Sequence, residues 1–277
     1  MSFKLTAIAV LFWALTVLAL TAPVQAKESA RWVSLNQCID IALARWSERQ
    51  ELVGITRLHD ENELTGVARH NGTLESILAL KPTKVFATEF NQPRLIKALK
   101  NYVDVVVLPQ PRNWEAYEQW LSIMANQTGY PRKVEQHKAE LQRSLIAQAG
   151  SQSAIVIMPN QYSWGQGSWT DTLFKKMGWK NLAATAGYDL VSVDLEQLIT
   201  WRPGIVIMEG FTEDAATADF ALANIWRHHP VVRKWISEQN KVQFIPHETS
   251  SCPVVNANAY VEALGHRREK IGRASCR

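Results

Sequence analysis

Leu74-Glu75-Ser76-Ile77-Leu78-Ala79-Leu80-Lys81-Pro82-Thr83-Lys84-Val85-Phe86 is echoed further along the chain by Leu195-Glu196-Gln197-Leu198-Ile199-Thr200-Trp201-Arg202-Pro203-Gly204-Ile205-Val206-Ile207. Each copy reads as a short helix opened by Leu-Glu, a basic residue followed by Pro, and an apolar strand. Pro cannot continue a helix and disfavours the α region for the residue before it, so the basic-Pro pair predicts the stop. A unit of this build occurring twice implies two lobes of similar architecture. Two similar lobes usually hold something between them.

Outward from the first copy, short apolar strands alternate with helical patterns. Strands are predicted at 32–36, 51–55, 84–87 and 103–108. Helices are predicted at 39–46, from an N-cap at Thr73 to Leu80, at 93–100 and at 114–126. Around the second copy the alternation returns, with strands at 154–158, 205–208 and 242–245 and helices at 171–177, 195–201, 231–239 and 257–264. Strands alternating with helices imply α/β lobes with mostly parallel sheets and helices on their faces. Between the two halves, Pro131 at an N1-like position and Gly150 as a stop bracket one long amphipathic helix. Its apolar stripe is Val134, Leu141, Leu145 and Ala149. At roughly 27 Å it can run from one lobe to the other as a stiff connector.

Both ends read as foreign to that fold. Lys4, the apolar run Leu5–Leu20, Pro23 and the small-residue site Val24-Gln25-Ala26 make 1–26 a secretory signal cut after Ala26. The other reading is an uncleaved anchor, since the run nears spanning length. Residues 271–277 resemble the translation of a sequencing adapter, so 269–277 read as a non-native tail; the other reading is a short disordered basic tail. The expected lobes are 27–130 and 151–268, joined by 131–150. Without 1–26 the chain loses Lys4. Without 269–277 it loses three more basic residues and one acidic, so the formal charge falls from +4 to +1. No nucleic-acid footprint follows from that balance. Cys38 and Cys252 remain, an even pair that an oxidising compartment can join.

In open parallel α/β sheets, ligands bind beyond the carboxyl ends of the strands. In the first lobe that rule selects Asn36, Gln37, Arg57, His59, Phe90, Arg112 and Trp114. In the second it selects Tyr162, Trp164, Trp169, Phe211 and His247. Flat apolar rings beside hydrogen-bonding groups suit a large, partly apolar ligand with polar edges. Each Trp has a competing use in core packing or as a loop anchor.

Arg31-Trp32-Val33-Ser34-Leu35-Asn36-Gln37-Cys38-Ile39-Asp40 resembles the opening of class III periplasmic substrate-binding proteins, which serve importers of ferric siderophores, haem and vitamin B12. Both copies of the repeat resemble that family's paired segments. Trp164-Gly165-Gln166-Gly167-Ser168 resembles its second-lobe Gly-rich loop, and Gly178-Trp179-Lys180-Asn181-Leu182-Ala183 the segment after it. The resemblance covers nearly all of the chain beyond residue 26. It implies two Rossmann-like α/β lobes joined by one long α-helix, which restricts closure. It implies a monomer without a resident cofactor, exported to the periplasm. Such a protein captures an iron–siderophore complex or a similar metal chelate (cobalamin, haem) in the interlobe cleft. It then delivers the chelate to an ABC permease dimer in the inner membrane. Glu75 and Glu196 fall where that family carries the carboxylates that dock on permease Arg pockets, although Glu near a helix start is favoured by the macrodipole alone. Cys38 and Cys252 fall where some members carry a Cys pair facing the cleft. A disulfide across the lobes and two unpaired buried thiols are both open.

Two rival functions remain. A bare zinc or manganese ion needs about three His and a carboxylate converging. His59, His70, His247 and Glu209 are the residues to enlist. An enzyme would need a nucleophile elbow, a zincin motif or a Walker sequence, and none occurs. Within the favoured class, Arg57 and Arg112 are candidates for anionic groups of a ligand. Tyr162 and His247 are candidates for axial ligation of haem iron. A ferric siderophore leads, ahead of a corrinoid and haem.

Overall fold

Alternation of short apolar strands with amphipathic helices produces two parallel sheets. The computed structural model of the protein describes residues 29–58, 64–210, 229–237 and 242–265. Residues 1–26, 269–277, His59 and Phe211 therefore lie outside the described residues. From Arg31 onward the chain forms one compact unit.

In the first half, β1 (Trp32–Ser34), β2 (Leu52–Ile55), β3 (Ala68–Arg69), β4 (Lys84–Thr88) and β5 (Asp104–Leu108) form one sheet in the order β3-β2-β1-β4-β5. All its pairings are parallel. Asn36 stops β1 and opens α1 (Gln37–Trp46), because its side-chain oxygen accepts the N–H groups of Cys38 at 2.9 Å and Ile39 at 3.4 Å. One turn on, the buried Asp40 carboxylate accepts the Thr56 N–H at 3.1 Å and hydroxyl at 2.6 Å, pinning α1 to the end of β2. The remaining helices of this half are α2 (Leu74–Leu78), α3 (Pro93–Leu99) and α4 (Trp114–Thr128), the last closed by Gly129 at φ 78°.

In the second half, β6 (Ser153–Ile157), β8 (Lys180–Asn181), β10 (Ile205–Glu209) and β11 (Val242–Ile245) form a parallel sheet in the order β11-β10-β6-β8. Beside it, β7 (Tyr162–Trp164) and β9 (Leu190–Ser192) pair antiparallel. The helices here are α6 (Trp169–Met177), α7 (Leu195–Trp201), α8 (Pro230–Ser237), α9 (His247–Ser250) and α10 (Ala257–Gly265). Strands β3, β7, β8 and β9 and the short helix α9 carry no usable period in the sequence. At two to four residues they exist because a neighbour pairs or packs with them.

The repeat survives into backbone geometry. Leu74 and Leu195 each follow a capping residue, Thr73 and Asp194, whose side chain accepts an N–H three residues on. Lys81 and Arg202, each before a Pro, both turn left-handed, at φ 50° and 48°. The strand that follows is interior in its sheet in both cases, β4 between β1 and β5, β10 between β11 and β6. Val85, Phe86, Val206 and Ile207 are buried there.

Between the halves lies α5 (Pro131–Ala147), about 25 Å long. It packs on α1 and α4 from one side and α6 and α10 from the other. Val134, Leu141 and Leu145 are buried as the stripe requires. The helix ends before Gly150, and Ala149 lies beyond it, exposed.

Candidate functional site

Strand ends from both sheets converge on a cavity of about 460 Å³. The first half contributes Asn36, Cys38 and Ile39 after β1, Thr88 at the end of β4 and Phe90 beyond it, Pro109 to Arg112 after β5, and Trp120 from α4. The second half contributes Trp164 of β7, Ser168 to Thr170 at the start of α6, Asp189 and Leu190 at β9, and Ser250 to Val255 after β11. Most of this surface is carbon, with hydroxyls and amides between the rings.

One wall is held from behind. The Trp164 indole N–H donates to Glu209 Oε2 at 3.1 Å, and the Tyr260 hydroxyl donates to Glu209 Oε1. Glu209 ends β10 and is 4% exposed. Burial raises its carboxyl above the usual range, while the two donors pull the other way. Buried polar groups need partners, so this carboxylate fixes the Trp164 ring rather than facing a ligand.

Contacts across the cleft flank the cavity. Cys38 and Cys252 form a disulfide with 5.2 Å between their Cα atoms. Arg112 forms an ion pair with Asp189, and the Thr172 hydroxyl donates to the Arg112 carbonyl at 3.1 Å. Trp169, 6% exposed, packs on Tyr117 at 4.7 Å and stacks on Trp114 at 6.3 Å and 15°. Its indole N–H donates to the Pro253 carbonyl at 2.9 Å. Lys176 sits over the Trp114 ring at 4.5 Å.

Residues 39–234 match the family model described as Periplasmic binding protein. The chain belongs to the periplasmic binding protein family. Among curated proteins it is similar to the Fe(3+) dicitrate-binding periplasmic protein FecB of Escherichia coli (strain K12). Identity is 25% over 199 residues, covering 68% of this chain and 66% of that relative, so the match spans about two thirds of the relative's length. Its fold is similar to the periplasmic heme binding protein HutB of Vibrio cholerae (TM-score 0.67, 15% identity, 86% of this chain and 99% of that one). It is also similar to the periplasmic vitamin B12 binding protein BtuF of Vibrio cholerae (TM-score 0.61, 16% identity, 85% and 95%).

In this periplasmic binding protein the cavity brings together Asn36, Phe90, Arg112, Trp164 and Trp169 from the sequence-selected set. The others stand elsewhere. Gln37 opens α1, half-buried and outside the cavity lining, while Arg57 is exposed in the turn after β2. Trp114 is taken up by Trp169, Tyr117 and Lys176 and does not line the cavity. Tyr162, 43% exposed at the start of β7, does not line the cavity, although alternation puts it on the same face of the strand as Trp164. His247 is exposed at the start of α9. Neither of the two candidate axial ligands therefore lines the cavity.

The bare-ion set is not assembled among the described residues either. His70 uses both ring nitrogens, Nδ1 accepting the Gly72 N–H at 3.1 Å and Nε2 facing the Ser34 carbonyl at 2.7 Å. Glu209 is taken by Trp164 and Tyr260. No cluster of three or more metal-ligating side chains occurs among the described residues. Lining residues that sequence reasoning missed include Trp120, Asp189, Leu190 and Pro253 to Val255. Trp120 sits mid-helix and Asp189 before an unforeseen strand, so no local signal marked them.

Glu75 and Glu196 occupy matching places, second residue of α2 and of α7, and both are exposed. Neither takes part in an ion pair with another described residue.

Proposed function

We propose that this chain is the substrate-binding component of an ABC importer. It captures a metal chelate in the cavity between its sheets and hands it to a permease in the inner membrane. One observation carries the reading: in a chain of the periplasmic binding protein family, the strand ends of two parallel sheets enclose one aromatic cavity. The relative and fold neighbours named above are binding proteins for ferric dicitrate, haem and vitamin B12. The organisation that fits is a first lobe over 27–130, a connector over 131–150 and a second lobe over 151–268. A signal over 1–26 directs the chain to the periplasm as a monomer. Asn36, Phe90, Arg112, Trp164 and Trp169 contact the ligand, and Glu75 and Glu196 meet the permease. The role is binding rather than catalysis: no imidazole is part of the described lining, and the lining hydroxyl of Ser250 meets His247 only at its backbone carbonyl, so no base is paired with a nucleophile there.

The test is a titration with ferric siderophores, corrinoids and haem, followed by tryptophan fluorescence. Saturable one-to-one quenching by at least one of them is expected, weakened at least tenfold in Trp164→Ala. If no chelate binds saturably, the proposal fails.

A further inference from the structure

Cys38 and Cys252 both line the cavity, and their disulfide ties the second residue of α1 to the segment after α9. That segment forms a wall of the cavity with Ser251, Pro253, Val254 and Val255. The wall also meets the first half through Arg45, whose guanidinium donates to the Val255 carbonyl at 3.2 Å. Two further contacts between the halves lie beside it, the Arg112–Asp189 pair and the packing of Trp169 on Trp114 and Tyr117. The paired side chains are about half exposed, and exposed ion pairs hold weakly. All of these contacts part without breaking a bond. The disulfide does not: its Cα atoms are 5.2 Å apart, and a bridged pair stays within about 7 Å however the connector flexes. One of its sulfurs is within reach of a reagent in the cavity. Cys38 is half-buried, whereas Cys252 is 1% exposed.

From this placement we infer that the Cys38–Cys252 disulfide is a redox-sensitive latch that sets how fast the cavity releases its ligand. The inference rests on the cavity being the importer's ligand site, as proposed above. Oxidised, the latch holds the 251–255 wall against α1 and a seated ligand leaves slowly. Reduced, the halves keep their resting arrangement, because α5 and the non-covalent contacts remain, but the wall moves off α1 more often. The reductant is a dithiol. Its thiolate attacks Cys38 Sγ, the S–S bond breaks, and Cys252 leaves as a thiolate. The second thiolate of the reductant then attacks the reductant's own sulfur in the mixed disulfide. Cys38 leaves as a thiolate and the reductant closes its own disulfide. Two electrons pass to the protein, and the two protons given up by the dithiol end on Cys38 and Cys252. A seated ligand lies against the bond and covers Cys38 Sγ. The latch is therefore opened in the empty protein, and a loaded one stays latched.

The full chain, with Cys276 alkylated beforehand, is prepared oxidised, reduced by dithiothreitol and freed of reductant without air, and as Cys38→Ser with Cys252→Ser. Each form is loaded with ferrichrome, cyanocobalamin or haemin, and the probe that quenches tryptophan fluorescence saturably carries the comparison. Release is followed on dilution as recovery of that fluorescence. It should be at least tenfold faster from the reduced protein and from the double Ser variant than from the oxidised protein. Reduction by dithiothreitol, read by alkylation and mass spectrometry, should be at least tenfold slower in the loaded oxidised protein than in the empty one. Brief exposure of the empty protein to glutathione should place the adduct on Cys38. Equal release rates in the oxidised and reduced forms overturn the latch and leave the transport reading standing. So do equal reduction rates with and without the probe, or an adduct on Cys252. If none of the three probes binds, both readings fall.

Discussion

Replacing Cys38 and Cys252 together by Ser should cost this protein more stability than any single core truncation. The disulfide joins residues 214 apart in sequence, the second residue of α1 to a 1% exposed position after α9. In the unfolded chain it closes a loop of almost the whole protein. The loop-entropy relation then gives about 5 kcal/mol at 25 °C. In the native state the α5 connector and the contacts of Trp169, Arg112 and Asp189 already hold the halves together. The Ser variant therefore keeps the native arrangement, and the effect falls on the unfolded ensemble. The assay is guanidinium unfolding followed by tryptophan fluorescence, comparing oxidised wild type, reduced wild type and the double Ser variant. With a slope of about 5 kcal/mol/M for a chain this size, the midpoint should drop by about 1 M. Reduced wild type should match the variant. A shift below about 0.3 M with the slope unchanged would refute the reasoning. So would peptide mapping of the oxidised protein that finds the two cysteines unlinked.

Three more outcomes are expected. Glu75→Arg with Glu196→Arg should abolish chelate uptake in cells and leave ligand affinity within about twofold, because both carboxylates stand outside the cavity; uptake that survives removes them from permease docking. His137 packs on Trp46 at 5.0 Å, and burial first, then the Arg45 charge, lower its pKa to about 4 from 6.5. The unfolded chain therefore takes the proton first, and stability should fall between pH 6.5 and about 4 by roughly 3 kcal/mol. That slope should be largely absent in His137→Phe, and an unchanged urea midpoint profile would contradict the assignment. Glu209→Ala strands the Trp164 N–H and the Tyr260 hydroxyl, which should cost about 2–4 kcal/mol in urea unfolding at pH 7. A loss under about 1 kcal/mol would mean that both donors find other partners.

How much of the fold could be read in advance depended on element length. Helices such as 114–128 and 131–147 extend over several turns, and their periodic apolar faces mark them in the sequence. Strands β4 and β10 are buried on both faces and read as apolar runs between Pro and polar loops. Pairs such as β7 with β9 are three residues each, and only cross-strand bonding defines them. The candidate site divides the same way. Asn36, Phe90 and Arg112 were legible because each follows a strand. Tyr162 and Trp164 lie in one strand two positions apart, yet only Trp164 reaches the cavity.

The sequence by itself determined two similar α/β halves, the connector between them and the matched positions of Glu75 and Glu196. These follow from local periodicity, capping and the Pro stops at Lys81 and Arg202. Tertiary structure alone decided which side chains share a surface. It set Asp189 against Arg112, put Glu209 behind Trp164 and joined Cys38 to Cys252 across the cavity. The partners in those pairs are 45 to 214 residues apart. No local pattern encodes such contacts, because packing of the whole chain creates them.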